Sequence, residues 1–387
     1  NTTLHMAGKS LLKTALNRLH VEAGAKMVPF CGWEMPVQYK LGTLKEHLHT
    51  RTHAGLFDVS HMGQVLWTGR HAGEFLESVC VSDLAEVKPG LSKLSVMTLP
   101  NGGIIDDTII NKQEDHFYQV VNAGCYDKDM VHLTEQLTRA KAKGMDVHLS
   151  IMDDHSLLAL QGPKAKDALK KLCPAPNGQS DWCDRLPFMS SVQWTSGTGS
   201  YGPLRVSRCG YTGEDGFEIS VRSDKVHAFA RDLLECGHEV QWIGLGARDS
   251  LRLEAGLCLY GNDIDDTTTP VEAGLTWTIG KRQLAEARFP GHATISKQIK
   301  EGVSRKRVGL TLGSIAREHT KVLDGAGAEV GEVTSGSWSP VLSKGVCMAY
   351  VPAALAKAGT PVSLAVRGKQ VPAEVTRMPF VYCKYRD

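Results

Sequence analysis

A change of pattern near residue 300 divides this chain of 387 residues into two kinds of sequence. Beyond Arg307 the chain consists of short segments rich in β-branched residues and interrupted by glycine or proline, and helical patterns nearly vanish. The segments span residues 308–312, 321–323, 329–333, 346–350, 362–366 and 371–376. Short strands spaced in this way are typical of a barrel or a sandwich. The sequence therefore predicts a separate all-β domain over residues 300–387.

Helical and strand patterns alternate irregularly before residue 300. Apolar residues recur at helical spacing in the segments 10–20, 127–143, 224–236 and 246–259. Strand patterns occur at residues 64–68, 117–122, 156–160, 204–208 and 217–221. No internal repeat is visible, so we expect a mixed region of helices and strands over residues 1–290.

The composition argues against several classes of protein. Lysine and arginine number 44 and aspartate and glutamate 42, and this balance does not suggest a protein that binds nucleic acid. No apolar run of about 18 residues occurs, so no membrane-spanning segment is expected. The ten cysteines are scattered, which favours reduced thiols in a reducing compartment. No metal site is expected, because His47, His49 and His53 lack a companion cluster of acids or thiols and are interpreted as surface residues.

Two adjacent carboxylates, Asp106 and Asp107, follow the hairpin-turn dipeptide Asn101-Gly102 inside an apolar strand pattern. Neighbouring side chains of an extended strand point to opposite faces, so the two carboxylates are not expected to share a proton. One of them would face a core or cleft, where a lone carboxylate can accept a proton or stabilise a cation. A pair of turn-capping residues is the alternative interpretation.

A glycine-rich loop at residues 209–216 precedes a strand pattern that contains Glu218. Glu218 lies between Phe217 and Ile219 and therefore projects to the opposite face from both. A carboxylate held there could accept two parallel N–H donors, such as those on the edge of a pterin ring. An ordinary polar residue on the outer face of a strand is the alternative interpretation.

Charged residues at helical spacing are most often solvated faces. Arg248 and Arg252 lie one turn apart and are interpreted in this way. A basic patch formed by Lys164, Lys166, Lys170 and Lys171 could dock a partner protein, but a solvated helix face is the favoured interpretation there too.

Several motifs occur in one order along most of the chain, from about residue 13 to about residue 381. They are MVPFCGWEMPVQY (27–39), GLFDVSHM (55–62), GGIIDD (102–107), NAGC (122–125), CGYTGEDGFE (209–218), the segment 247–265, TSG (334–336) and MPF (378–380). Each motif alone is weak, but their number and order make chance a poor explanation. Together they resemble the glycine cleavage T-protein family of aminomethyltransferases.

The resemblance implies an α+β fold of three domains, arranged like a cloverleaf around a central funnel that binds tetrahydrofolate. Residues 1–290 would hold two α/β domains interleaved in sequence, one of them roughly at 55–145, and the all-β barrel would be the third. The implied reaction moves the one-carbon unit from the aminomethyl-lipoyl arm of the H protein to tetrahydrofolate, giving 5,10-methylenetetrahydrofolate, ammonia and dihydrolipoyl H protein. The implied location is the mitochondrial matrix, or the cytoplasm if the source is bacterial.

The resemblance also implies roles for individual residues. Asp107 matches the family's essential aspartate, Glu218 its pterin-binding glutamate and Arg248 an arginine that holds the folate. Residues that match the remaining folate contacts and the funnel lining are Tyr385, Met62, Tyr118, Asn122, Tyr211 and Trp277. We expect Asp107 to orient the folate amines and to stabilise the iminium-like cation formed as ammonia leaves. A role simply as a base is not expected, because a carboxylate of ordinary pKa is a weak base at pH 7.

Three other functions stay open as alternatives. A folate-binding protein of iron–sulfur cluster assembly or repair would share this fold but carry a signature of the type Lys-Gly-Cys-Tyr-x-Gly-Gln-Glu, whereas this chain has LCLYGND at 257–263. A folate-dependent demethylating oxidase would be fused to a flavin domain, and no flavin-binding region is visible in the sequence. A scaffolding protein would bind no tetrahydrofolate.

Overall fold

The structure is a computed structural model that describes residues 10–174, 182–195, 201–237 and 239–386. These residues form two large sheets, a closed barrel, a small hairpin and the helices that cover them. None of the helices in the described part of the chain combines the length and hydropathy that crossing a bilayer requires.

A six-stranded sheet has the strand order β10-β11-β12-β9-β3-β13. Its strands are β3 (Ala54–Asp58), β9 (His155–Gln161), β10 (Ser190–Trp194), β11 (Leu204–Arg208), β12 (Gly216–Arg222) and β13 (Val240–Trp242). One face packs on helices α5 (Ala165–Leu172) and α7 (Val226–Glu235), and Phe217, Ile219 and Phe229 are fully buried there. Glu218 therefore points to the other face, as the alternation along the strand predicts.

A five-stranded antiparallel sheet has the order β5-β6-β7-β4-β8. Its strands are β4 (Gly63–Thr68), β5 (Ser92–Thr98), β6 (Ile104–Lys112), β7 (His116–Val121) and β8 (His148–Ile151). One face packs on α3 (Ala72–Val79) and α4 (Tyr126–Ala142) through a core that includes Trp67 and Phe75. All five strands lie between β3 and β9 in the chain, which gives the interleaved arrangement of the expected fold class. The domain limits at 1–290, 55–145 and 300–387 stay predictions.

The other faces of the two sheets meet in a second apolar core. Phe57 and Ala159 come from the six-stranded sheet, Tyr118 and Val120 from the five-stranded sheet, and Leu251 from helix α8 (Leu245–Glu254). Side chains from both sheets and from α8 thus line one region of the molecule.

The all-β region is a closed barrel in the order β14-β17-β16-β15-β18-β19, in which β14 pairs with both β17 and β19. Its strands are β14 (Arg305–Leu312), β15 (Lys321–Leu323), β16 (Glu329–Ser339), β17 (Lys344–Pro352), β18 (Pro361–Val366) and β19 (Lys369–Thr376). Each predicted segment lies within one of these strands, so the predicted barrel is confirmed. The sequence pattern underestimated β16 and β17, which pair beyond the ends of their apolar runs.

The helix predicted at residues 10–20 is wrong for its first half. The helix is α1 (Asn17–Glu22), while Leu12 lies alongside Trp33 in the β1–β2 hairpin (Lys26–Phe30 and Trp33–Gln38). The Leu12 backbone N–H donates to Gly32, which places this segment beside a strand and outside a helix. The other helices among the described residues are α2 (Thr43–Thr52), α6 (Trp182–Arg185), α9 (Lys281–Glu286) and α10 (His292–Glu301), and 3₁₀ turns occur at Thr276–Thr278, Ala353–Leu355 and Lys384–Arg386.

Two of the residues interpreted as solvated are buried. His47 is fully buried on α2 and hydrogen-bonds to Ser250 Oγ at 2.7 Å and to Glu254 Oε2 at 3.0 Å, so it joins α2 to α8. Arg252 is 2% exposed and donates to Asp263 Oδ2 at 2.6 Å. A surface assignment fails for both because each meets partners more than ten positions away in the chain, which helical spacing cannot reveal.

The pair of Arg252 and Asp263 also attaches the barrel. The hydroxyls of Thr334 and Ser335 on β16 donate to the two carboxylate oxygens of Asp263. The half-exposed partner Asp249 accepts a further hydrogen bond from Arg252 Nε at 2.8 Å. The guanidinium is thus shared between one buried acid and one half-exposed acid.

Replacing Asp263 by alanine should lower the free energy of unfolding by about 3–5 kcal/mol, because it leaves the Arg252 guanidinium buried without its ionic partner. Asp249→Ala removes the half-exposed partner of the same guanidinium and should cost less than about 1 kcal/mol. Urea denaturation of both variants measures the difference, and equal losses would contradict the assigned difference between the two acids.

Candidate functional site

Asp107 reaches the region between the sheets from β6, the strand that follows the turn at Asn101. Gly102 in that turn has a φ of +91°, and a Cβ on Gly103 would lie 1.8 Å from the carbonyl oxygen of Asp266. Both positions therefore require glycine, since one has a left-handed backbone and the other is touched by a second segment. The turn fixes the position from which β6 presents its two carboxylates.

Asp106 and Asp107 diverge as the strand alternation predicts. Asp106 is fully buried beside α4, whereas Asp107 is half-buried and senses the charge of Arg248 on α8. The amide of Asn122 nevertheless contacts both, because its Nδ2 donates to Asp106 Oδ1 and to Asp107 Oδ1, each at 2.9 Å. Strand alternation alone did not predict this bridging amide.

The expectation of an ordinary pKa for Asp107 is wrong. Burial, together with the negative charge of Asp106, raises the pKa of Asp107 to about 7, although Asn122 and the Arg248 guanidinium oppose the shift. A carboxyl group with a pKa near neutrality can both accept and release a proton at physiological pH. Asp107 is therefore suited to proton transfer as well as to stabilising a cation.

Glu218 projects from β12 into the same region. Its neighbours across the sheet are Ser207 on β11 and Ala159 on β9. Burial raises the pKa of Glu218, and the Arg248 guanidinium and the Cys209 thiol oppose that shift. A half-buried carboxylate with a weak thiol donor beside it can still accept strong N–H donors, so its chemistry fits the edge of a pterin ring.

Arg248 is the cation whose charge acts on both acids, Asp107 and Glu218. Its guanidinium carbon lies 4.4 Å from the centre of the Tyr211 ring. Tyr211 is anchored through its hydroxyl, which donates to the carbonyl oxygen of Cys258. Asp107 and Glu218 therefore share the electrostatic influence of one guanidinium.

The glycine-rich loop that carries Tyr211 is held at several points. Arg51 donates to the Thr212 carbonyl oxygen at 2.6 Å and to Glu214 Oε1 at 2.9 Å, while Arg208 pairs with both oxygens of Asp215. These bonds fix the backbone on both sides of the loop's centre.

The other residues expected to line the site divide into an inner and an outer group. Tyr118 is 4% exposed and its hydroxyl donates to Gln64 Oε1 at 2.8 Å. The charge of Glu218 contributes to raising the pKa of Tyr118, so the two side chains are near each other. Met62 packs in the same apolar core as Tyr118. Tyr385 stacks on Phe188 with ring centres 4.2 Å apart. Trp277 is 63% exposed on a 3₁₀ turn that packs beside β5. The described contacts therefore group Tyr118 with the acids, whereas Trp277 lies on the surface.

Two residues of the site were missed. His61 is 5% exposed with an unpaired Nδ1, and burial and the nearby Arg248 charge lower its pKa to about 4, so it is a neutral imidazole at pH 7. The guanidinium of Arg205 lies 4.7 Å from the centre of the Tyr118 ring and bonds His116 Nε2 at 2.7 Å. His61 lies inside the GLFDVSHM motif, so the sequence held a signal for it; Arg205 lies in an unremarkable strand pattern.

No group of three or more His, Cys, Asp or Glu side chains within the described ranges has an arrangement that could hold a metal ion. The lysines of the candidate basic patch are partly engaged, because Lys166 and Lys170 both pair with Asp184 at 2.5 Å.

Comparison with known proteins matches both halves of the chain. The family model of the GCVT N-terminal domain matches residues 16–283, and that of the glycine cleavage T-protein C-terminal barrel domain matches residues 305–381. The mitochondrial aminomethyltransferase of Dictyostelium discoideum is 47% identical over 100% of this chain and 96% of its own length. That of Gallus gallus is 49% identical over 99% of this chain and 95% of its own length.

A solved structure has the same architecture. The glycine cleavage system aminomethyltransferase T from Bartonella henselae superposes with a TM-score of 0.88 at 40% identity, covering 97% of this chain and 99% of that chain. These similarities do not favour the iron–sulfur alternative. The chain belongs to the glycine cleavage T-protein family of aminomethyltransferases.

Proposed function

We propose that this chain transfers the one-carbon unit of an aminomethyl group, carried on the lipoyl arm of the H protein, to tetrahydrofolate. The observation that carries the proposal is the convergence of Asp107 and Glu218, from different sheets, on the guanidinium of Arg248. The names of the relatives support the transfer of an aminomethyl group. Two of these relatives are named mitochondrial aminomethyltransferases, and this supports a location in the mitochondrial matrix.

Glu218 supplies the binding end of the site in this proposal. Its carboxylate would accept the parallel N–H donors of the pterin, and Tyr118 would pack against the ring. The positive charge of Arg248 favours the ionised forms of Asp107 and Glu218. The guanidinium is itself held in place by stacking on the Tyr211 ring. Tyr385 and Trp277 would contact the more exposed parts of the folate.

Asp107 supplies the chemical end. The transfer breaks the C–S and C–N bonds of the aminomethyl-lipoyl group and forms two C–N bonds, to N5 and N10 of tetrahydrofolate. The two protons lost by these nitrogens end on ammonia and on the lipoyl sulfur. Asp107 can carry such a proton because its pKa is near neutrality, and its carboxylate stabilises the cation formed as ammonia leaves.

Asp107→Asn should fold and bind tetrahydrofolate but lose turnover by about 100-fold or more, because an amide can neither carry the proton nor neutralise the cation. Ammonia release from aminomethylated H protein, with and without tetrahydrofolate, measures the loss. Asp153→Asn, at an exposed position, is the matched control. Turnover of the Asp107 variant close to that of the control would reject the assignment.

Glu218→Gln should weaken tetrahydrofolate binding by about 10- to 100-fold, because glutamine replaces one acceptor oxygen by an NH₂ group that opposes a pterin N–H. Calorimetric titration with tetrahydrofolate measures the affinity, and Glu135→Gln on the exposed face of α4 is the control. Unchanged affinity in the Glu218 variant would place the pterin elsewhere, whatever the variant does to turnover.

The pH dependence follows from the raised pKa of Asp107. The protonated form predominates below a pH of about 7, so kcat should fall as the pH is lowered through neutrality, well above the range in which an ordinary aspartate titrates. A pH profile of single-turnover transfer measures this limb. An activity that stays flat down to a pH of about 5 would show that the ionisation of Asp107 does not limit the reaction.

A further inference from the structure

A second buried carboxyl group lies behind Asp107. Asp129, in the first turn of α4, and Asp106, on β6, are both fully buried. Both Asp129 oxygens are buried without a donor within the described part of the chain, and the neighbouring Asp106 carboxylate is placed to accept a hydrogen bond from a protonated Asp129. Two ionised carboxylates cannot make such a contact in a buried site, so the pair holds a proton.

The number of donors around each acid indicates which one holds the charge. Asp106 Oδ2 accepts the backbone N–H of Asn122 at 3.1 Å, and Asp106 Oδ1 accepts the Asn122 amide at 2.9 Å. The Cys125 thiol also contacts Asp106. Hydrogen bonds to a carboxylate favour its ionised form, so the negative charge belongs on Asp106 and the proton on Asp129.

The charged and titratable groups that face the pair do not reverse this assignment. They are Cys125 and Lys128 on α4, Asp107 on β6 and Tyr260 from the segment after α8. Lys128 would favour an ionised Asp129, but its exposed ammonium lies over the Tyr260 ring, 3.7 Å from the ring centre. Burial is the largest effect on Asp129, and with the charges of Asp106 and Asp107 it raises the pKa of Asp129.

We propose that Asp129 is a protonated positioning residue whose O–H donates to Asp106 and thereby fixes the charge that orients Asn122 toward Asp107. The Asn122 amide donates to Asp107 Oδ1 only while it is also held by ionised Asp106. The kinetic consequences rest on the proposed function, whereas the protonation state does not.

Two variants of Asp129 distinguish the effect of its hydrogen-bond donor from the effect of its side-chain shape. Asp129→Asn keeps an N–H donor toward Asp106 and should retain kcat within about twofold, with an unchanged pH profile. Asp129→Leu keeps the branching but has no donor, and should lose about tenfold in kcat, as expected for one hydrogen bond to a charged group. Its acid limb should also move to higher pH, because the Asn122 donor that lowers the pKa of Asp107 is no longer held in place. Asp127→Asn, exposed on the same helix, is the matched control.

Infrared spectroscopy tests the protonation state without substrate. The difference spectrum between wild type and Asp129→Asn at pH 8, where Asp107 is largely ionised, should show the carbonyl band of one protonated carboxyl group lost in the variant. Absence of that band would overturn the proposal, as would a leucine variant with the wild-type rate and pH profile. If the band is present but no variant or wild type transfers an aminomethyl group, the proposed function fails while the protonated pair stands.

Discussion

The charge of the Arg248 guanidinium is the interaction on which this site depends, because it acts on two half-buried carboxyl groups that come from different sheets. Without a cation, burial would drive both Asp107 and Glu218 toward their neutral forms. Arg248 opposes that effect on both acids and is itself held by stacking on Tyr211. The site therefore combines one half-buried cation with two half-buried acids whose pKa values depend on its charge.

The interleaved topology explains why these groups converge. Strand β6 carries Asp107, strand β12 carries Glu218, and α8 carries Arg248, so more than 100 positions of chain separate the first acid from the second. The sheets meet through an apolar core at Phe57, Tyr118 and Leu251, and that core sets the distance between the polar groups. The barrel attaches to the segment after α8 through the buried carboxylate of Asp263, which also pairs with Arg252 on the helix that carries Arg248. The packing of the two sheets, α8 and the barrel therefore also determines the geometry of the site.

The sequence predicted most of what depends on local pattern. The barrel strands, the long helix α4, the outward direction of Glu218 and the divergence of Asp106 from Asp107 all follow from alternation and helical period. Predictions from the sequence pattern failed where contacts with residues distant in the chain determine whether a side chain is buried. His47 and Arg252 look solvated by spacing but are buried by contacts with Glu254 and Asp263.

The electrostatic state of the site was the least predictable property. The raised pKa of Asp107 depends on burial and on Asp106, and the neutral His61 depends on burial and on Arg248; these are tertiary effects that no residue spacing encodes. The family resemblance supplied the candidate residues of the site, which stay predictions, but it did not reveal that the Asn122 amide bridges Asp106 and Asp107. The sequence therefore indicated candidate residues for the site, whereas the protonation states of Asp107 and His61 required the structure.

A crystal structure with bound tetrahydrofolate would show whether Glu218 and Asp107 contact the folate as proposed. We predict that the pterin N–H groups lie within hydrogen-bonding distance of the Glu218 carboxylate and that N5 and N10 face Asp107. A folate bound away from the region between the two sheets, or with its N5 and N10 turned from Asp107, would contradict this prediction.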